Sequence, residues 1–270
     1  MGDFLAATKD RDTISANAAH GNETGEPAPT AGIVIIGNEI LSGKVTDSNS
    51  PYLCRELTFL GIRVERLHTI PDDFELIGRT VREFSEAFTH VFTSGGIGPT
   101  HDDLTVPAIA AGFGVPAVRH PALEASLRHH YGETLTDDHL LMAMVPEGAE
   151  LIEIPRLYYP QIQFRNVYIF PGVPQLLEFK FNAVKHRFRS HPMVLREIFM
   201  KADEGVIAAS LRETDAAFED VLIGSYPNFS KAEYSVKVTL EGRREASVDA
   251  ALADLSGRLD ALPVTIVRVT

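Results

Sequence analysis

The sequence predicts an α/β protein: a three-layer, mostly parallel sheet followed by a smaller α+β unit. Three observations carry this expectation. Short apolar, β-branched runs alternate with helical patterns over much of the chain, one of those runs leads into a glycine-rich loop, and beyond residue 191 the order becomes β-α-β-β-α-β. The 270 residues, 44% hydrophobic and 23% charged, are enough for two cores of ordinary globular composition.

Residues 1–29 carry Asp3, Lys9, Asp10, Arg11 and Asp12 where a signal peptide needs an apolar stretch, then pass into Asn, Gly, Glu and Pro; they read as a disordered, dispensable tail. Gly32-Ile33-Val34-Ile35-Ile36-Gly37 is wholly apolar between glycines, as a strand buried on both faces must be. Pro51 suits the first turn of a helix whose Leu53, Leu57 and Leu60 share a face, and Gly61 is placed to end it in the left-handed conformation. A strand from Ile62 to Leu67 follows. Asp72 or Asp73 can cap the next helix, which repeats Ile77, Val81, Phe84 and Phe88, and His90 to Thr93 is the third strand. Helices are expected over 104–112 and 121–131, a buried strand over Val167–Phe170, and a helix striped by Leu177, Phe181, Val184 and Phe188. Strands at 194–201, 220–226, 233–241 and 264–269 alternate with helices at 204–218 and 245–259, the split order of a ferredoxin-like unit. The division expected is a tail over 1–29, a large domain over 30–190 and a small α+β domain over 191–270.

Twenty-five basic against 37 acidic side chains give a formal charge of −12, which repels polymeric nucleic acid but leaves room for a small phosphorylated ligand held by backbone amides or a bound cation. No apolar run approaches the roughly 20 residues of a membrane helix. The lone Cys54 reads as a small core residue, and its lack of an intramolecular partner agrees with a cytoplasmic setting.

The chemistry centres on Ser94-Gly95-Gly96-Ile97-Gly98-Pro99-Thr100, between a strand and a helix, where Gly95, Gly96 and Gly98 let backbone N–H groups approach an anion. It can equally be a turn, and it lacks the Gly-Lys-Ser/Thr of a Walker loop. Asp102 and Asp103 follow at once. A helix cap needs one carboxylate, leaving the other for a divalent cation. Asn38-Glu39 and Asp47-Ser48-Asn49 add polar groups at the same sheet edge, with an N-cap at Asn49 or Ser50 as the plainer reading. His101 reads as solvated loop or general base, Gly172 as a turn or a point of close ligand approach, and Lys44 and Arg55 as surface charges.

Gly37-Asn38-Glu39-Ile40-Leu41-Ser42-Gly43-Lys44, Asp47-Ser48-Asn49, Ile70-Pro71-Asp72, the string from Gly95 to Thr105 and Phe170-Pro171-Gly172-Val173-Pro174 occur in this order. Together they resemble the molybdopterin-binding domain shared by molybdenum-cofactor biosynthesis proteins, the N-terminal part of competence/damage-inducible protein A and the N-terminal domain of eukaryotic FAD synthase, over residues 32 to about 190. Gly224-Ser225-Tyr226-Pro227 and Tyr234 to Leu240 resemble the segment after that domain in FAD synthase. The resemblance implies a molybdopterin-binding-like fold, places Asp72 and Asp103 on acidic positions that matter for cofactor chemistry, and lines a pterin-phosphate pocket with the three loop glycines. In the competence-type and FAD-synthase-type relatives it further implies metal-dependent hydrolysis of the diphosphate of ADP-ribose or FAD. With the chain ending after the small α+β unit, amidase and FAD-synthesis activities are not expected of it.

The leading expectation is thus a cytoplasmic diphosphatase using Mg²⁺, Mn²⁺ or Co²⁺ held by Asp103 with Asp102 or Asp72, its ligand contacted by Gly95, Gly96, Gly98, Thr100, Glu39, Asp47, Asn49 and Gly172. A molybdopterin-binding or transfer protein and a ligand sensor are the competing readings. Partners are a dinucleotide or pterin, not nucleic acid or membrane, and a homo-oligomer is compatible.

Overall fold

The computed structural model describes residues 28–188, 193–229 and 233–270. The expected tail, residues 28 and 29 apart, and the boundary placed at residue 191 lie outside them. The first unit runs β1 (Thr30–Ile36), a single turn α1 (Asn38–Leu41), α2 (Asn49–Phe59), β2 (Arg63–Ile70), α3 (Phe74–Ala87), β3 (His90–Ser94), α4 (Thr105–Gly112), β4 (Ala117–Arg119), α5 (Pro121–Tyr131), α6 (Asp137–Leu141), β5 (Met144–Pro146), β6 (Glu150–Ile152), β7 (Gln161–Phe164), β8 (Val167–Phe170) and α7 (Pro174–Val184). The second runs β9 (Val194–Lys201), α8 (Glu204–Ala217), β10 (Val221–Pro227), β11 (Val236–Gly242), α9 (Glu245–Leu259) and β12 (Thr265–Val269).

The large sheet has the order β2-β1-β3-β8-β7-β6; its first four strands are parallel, β7 pairs antiparallel with β8, and β6 pairs antiparallel with β7. The period-two alternation of a strand explains why β1 is apolar throughout. Ile33 and Ile35 enter a core with Leu53 and Leu57 of α2 and Phe181 of α7, whereas Val34 and Ile36 face Ile77, Val81 and Phe84 of α3 and Ile109 of α4. Helices on both faces make three layers. In the second unit four antiparallel strands in the order β10-β11-β9-β12 pack Ile198, Met200, Val238 and Leu240 against Ile207 of α8 and Val248 and Leu255 of α9. Arg243 Nη2 donates to Gly61 O at 2.6 Å, tying this unit to the end of α2. Among the described residues no helix is long and apolar enough to cross a membrane.

Local chemistry sets the ends. Asp73, not Asp72, caps α3 by accepting from Leu76 N at 2.8 Å, and Gly61 takes φ 78° after α2, as expected. The N-cap of α2 is Ser48, which makes no side-chain cap bond, and Asp47 just before it accepts from Asn49 N and Ser50 N at 2.9 and 3.0 Å, so the expected cap at Asn49 or Ser50 is corrected. Neither Asp102 nor Asp103 caps α4: its N-cap is Leu104, with no side-chain cap bond. Sequence periodicity passed over α1, α6 and β4 to β7, which are only three to five residues long and too short to display a period. Cys54 is half-buried against the α2–α7 core.

Helices α3 and α4 cross at Gly78 and Gly112, where an added Cβ would lie 2.6 Å from Ala108 O and 2.4 Å from Gly78 O respectively. Gly78→Ala is therefore expected to destabilise the protein by about 1–3 kcal/mol through overpacking. Gly257→Ala, in a part of α9 where an added Cβ meets nothing within 4 Å, is expected to stabilise by about 0.5–1 kcal/mol. Urea denaturation of the two variants checks the opposite signs.

Candidate functional site

Beyond the carboxyl ends of β1, β3 and β8 three chain segments come into backbone contact. Gly95 N donates to Phe170 O at 3.2 Å, Thr105 N donates to Gly96 O at 3.0 Å, and Thr105 Oγ1 donates to Gly95 O at 2.8 Å, which pins the start of α4 to the loop. Gly95 and Gly96 have φ of 110° and 65°, and a Cβ on them would stand 2.1 Å from Ile36 O and 2.4 Å from Thr105 Oγ1. Asn49 closes the arrangement from α2. Its Nδ2 donates to Ser94 Oγ at 2.9 Å and to Gly172 O at 2.7 Å, while its buried Oδ1 meets no donor.

Above these strand ends lies a cavity of about 480 Å³, within the usual range for small-ligand sites. Of the residues singled out from sequence, it is lined by Glu39, Gly95, Gly96, Gly98, Asp103 and Gly172. Glu39 is carried by α1, whose first N–H, from Asn38, donates to Asp72 Oδ2 at 2.8 Å. Asp72 thus acts behind Glu39. Gly37 and Gly98 leave room for carboxylates: a Cβ on them would meet Glu39 Oε1 at 2.5 Å and Asp103 Oδ2 at 2.6 Å. Asp103 Oδ2 accepts from Thr100 N at 2.8 Å and Thr100 Oγ1 at 2.6 Å, and Asp102 Oδ1 also lies 2.5 Å from that hydroxyl. One hydroxyl proton serves one acceptor at a time, so two carboxylates compete for it. The Thr100 hydroxyl and the local backbone hold Asp102 below the usual carboxylate range, keeping it ionised. Thr100 and Asp102 stand beside Asp103 rather than on the cavity wall; Asp47 holds the start of α2, and Asn49 of that helix braces the strand ends.

Among the described residues the N–H groups of Gly96, Ile97 and Gly98 have no protein acceptor. Three consecutive donors next to the N-terminal end of α4 suit an anion. The same residues include no group of three or more His, Cys, Asp or Glu side chains placed to hold a metal ion. Two carboxylates near one another, Asp102 and Asp103, fit instead the mode in which a hard cation is shared with the oxygens of a phosphorylated ligand.

Among the lining residues that sequence reasoning missed, three carry polar groups: Tyr158, Tyr159 and Lys180. The tyrosines lie in a stretch with no regular period. Lys180 left a signal: it occupies an apolar position of α7, in the stripe of Leu177, Phe181 and Val184, and is 3% exposed. Burial pushes its ammonium from an ordinary 10.5 down to about 7, and pushes the Tyr158 hydroxyl up to about 12.

An open, mostly parallel sheet with a glycine-loop cavity beyond its strand ends defines an α/β ligand-binding domain. The chain belongs to the family of probable molybdopterin binding domains, whose profile it matches over residues 32–191; residues 192–266 match the FAD synthase middle domain. It is 31% identical over 254 residues to a probable FAD synthase of Caenorhabditis elegans, covering 84% of this chain and 49% of that one. It is 39% identical over 152 residues to a CinA-like protein of Gemmatimonas aurantiaca, covering 53% and 36%. The chain thus spans half or less of the length of these two relatives. The crystal structure of CinA from Thermoplasma acidophilum, a protein of unknown function, superposes with a TM-score of 0.55 at 32% identity over 60% of this chain and 99% of that one. The resemblance read from sequence and the predicted fold class are both borne out.

Asn49→Ala strips Gly172 O of its side-chain donor and is expected to cost about 1–3 kcal/mol in chemical denaturation. Lys180 has a folded pKa below its unfolded one, so the unfolded state binds more protons between pH 7 and 10.5 and this residue makes stability rise with pH there. Below pH 7 its cost is fully present. Relative to the wild type, Lys180→Met should gain most at pH 7 and below and lose that advantage toward pH 10.5, with a slope approaching about 1.4 kcal/mol per pH unit. Parallel stability–pH curves for the two proteins would contradict this.

Proposed function

We propose that this protein is a metal-dependent diphosphatase of nucleotide-type ligands such as ADP-ribose or FAD. The observation that carries the reading is the juxtaposition in one cavity of three unpaired amides, from Gly96, Ile97 and Gly98, with the carboxylates of Asp103 and Glu39. In this reading the amides hold phosphoryl oxygens, Asp103 and Asp102 are the residues that would hold a Mg²⁺, Mn²⁺ or Co²⁺ ion, and Asp72 positions Glu39 through α1. The cation, when bound, offsets the charge that develops on the phosphates and lowers the pKa of a coordinated water. Water adds to one phosphorus as the bridging oxygen leaves with the other, giving two phosphate monoesters. Tyr158 and Tyr159 border the cavity where a base or isoalloxazine ring would rest. A cytoplasmic setting belongs to the same reading, and the likeness to FAD synthase supports a nucleotide-type ligand.

The family match favours a second reading, in which the loop holds the phosphate of molybdopterin without hydrolysing a dinucleotide. A screen of the purified protein against ADP-ribose, FAD, NAD and molybdopterin, with and without Mg²⁺, Mn²⁺ and Co²⁺, separates the two. Metal-dependent release of AMP is expected; tight pterin binding with no turnover would replace the first reading with the second.

Asp103→Asn keeps an acceptor for Thr100 N but loses the charge, so its thermal stability without metal should stay near wild type while turnover falls by about 100-fold or more. Wild-type turnover in this variant at limiting metal would remove Asp103 from the mechanism, and full activity in chelator would remove the metal.

A further inference from the structure

Lys180 has no part in the reading above, yet its setting is unusual. A buried ammonium ordinarily has a carboxylate partner. Among the described residues Lys180 has none: its Nζ donates to Pro160 O at 2.7 Å and stands 4.7 Å from the centre of the Tyr159 ring. An ammonium carries three N–H donors, and one is used. The residue lines the cavity, and the other charged residues on that wall, among those described, are Glu39 and Asp103. Two carboxylates repel an incoming phosphate, and the loop amides are neutral dipoles. The wall therefore has a single cationic side chain to set against a phosphate. A lysine kept merely as a tie from α7 to Pro160 would serve no better than a neutral amide donor, and would have to be desolvated as well.

We propose that Lys180 is the phosphate-anchoring residue of this cavity, its ammonium donating to a ligand phosphate oxygen while Pro160 O holds the side chain in place. This rests on reading the cavity as a phosphate site, but not on turnover or on metal. The ionisable groups facing the same space are Glu39, Asp103, Tyr158 and Tyr159, and burial keeps both tyrosines neutral at ordinary pH. Because burial holds Lys180 near 7, much of it is neutral in the empty cavity at pH 8, and an arriving phosphate draws a proton onto it.

Titration calorimetry of the full chain with inorganic pyrophosphate in EDTA at pH 8, in two buffers of different ionisation enthalpy, tests this. Wild type should bind with uptake of about one proton more than Lys180→Arg, whose charge is permanent and whose count subtracts the titration of the ligand itself. Lys180→Met should bind about 10- to 100-fold more weakly. Wild-type affinity in Lys180→Met, equal proton counts in wild type and Lys180→Arg, or no pyrophosphate binding by the wild type would each overturn the proposal. If Lys180→Met fails to fold, the comparison with Lys180→Arg still decides it. ADP-ribose turnover alongside any of those outcomes would leave the diphosphatase reading standing, whereas the expected calorimetry without turnover would remove that reading and keep the anchor.

Discussion

The large unit is organised around backbone packing at Gly95. There the end of β3 lies against the end of β1 so closely that a single Cβ would stand 2.1 Å from Ile36 O, and a Cβ on Gly172, after β8, would stand 3.4 Å from Gly95 Cα. With no side chains between them, three strand ends are drawn to one point, and Asn49 from α2 holds two of them together through Ser94 and Gly172. Everything above depends on this closure. The loop turns back at once, presents its amides, and is locked to α4 by Thr105. The double-sided core makes the arrangement rigid, because β1 and β3 are fixed from both faces by interdigitating helices.

The electrostatics of the cavity follow from how it is walled. Carboxylates stand at two glycines, Gly37 and Gly98, where no side chain competes for the space; Asp103 is held by the Thr100 amide and hydroxyl, and the Glu39 carboxylate has no hydrogen-bond donor among the described residues. They therefore keep their charge available for an incoming cation or polar ring. One lysine lining the same cavity is desolvated and lacks a counter-charge among the described residues. Such separation of unpaired opposite charges costs stability in the empty protein and is expected of a site arranged for a ligand rather than for the fold.

The second unit has its own core and meets the first at Arg243, which reaches the Gly61 carbonyl where α2 ends. Its similarity to the FAD synthase middle domain accompanies the similarity of the first unit to molybdopterin binding domains, so the two occur in the same order as the two matches along this chain.

By itself the sequence determined the elements whose pattern is long enough to read: β1, α2, β2, α3, β3, α4, α5, β8, α7 and the whole β-α-β-β-α-β order of the second unit. It also determined the glycine loop and the neighbouring acidic residues, because a turn at positive φ and a carboxylate pair are local chemical facts. Tertiary structure alone decided which polar groups face the cavity. Asp47, Asn49 and Asp72 sit at the expected edge but spend their hydrogen bonds on α2, on two strand ends and on α1, and no local pattern distinguishes those duties from ligand contact. The short strands β4 to β7 owe their existence to partners far along the chain, such as β8 for β7, rather than to their own three or four residues. Lys180 is the clearest case. Its place in an apolar stripe was visible in the sequence, but that its ammonium ends beside Pro160 and Tyr159 on the cavity wall follows from how α7 packs across the sheet, which is a property of the assembled layers and of no segment within them.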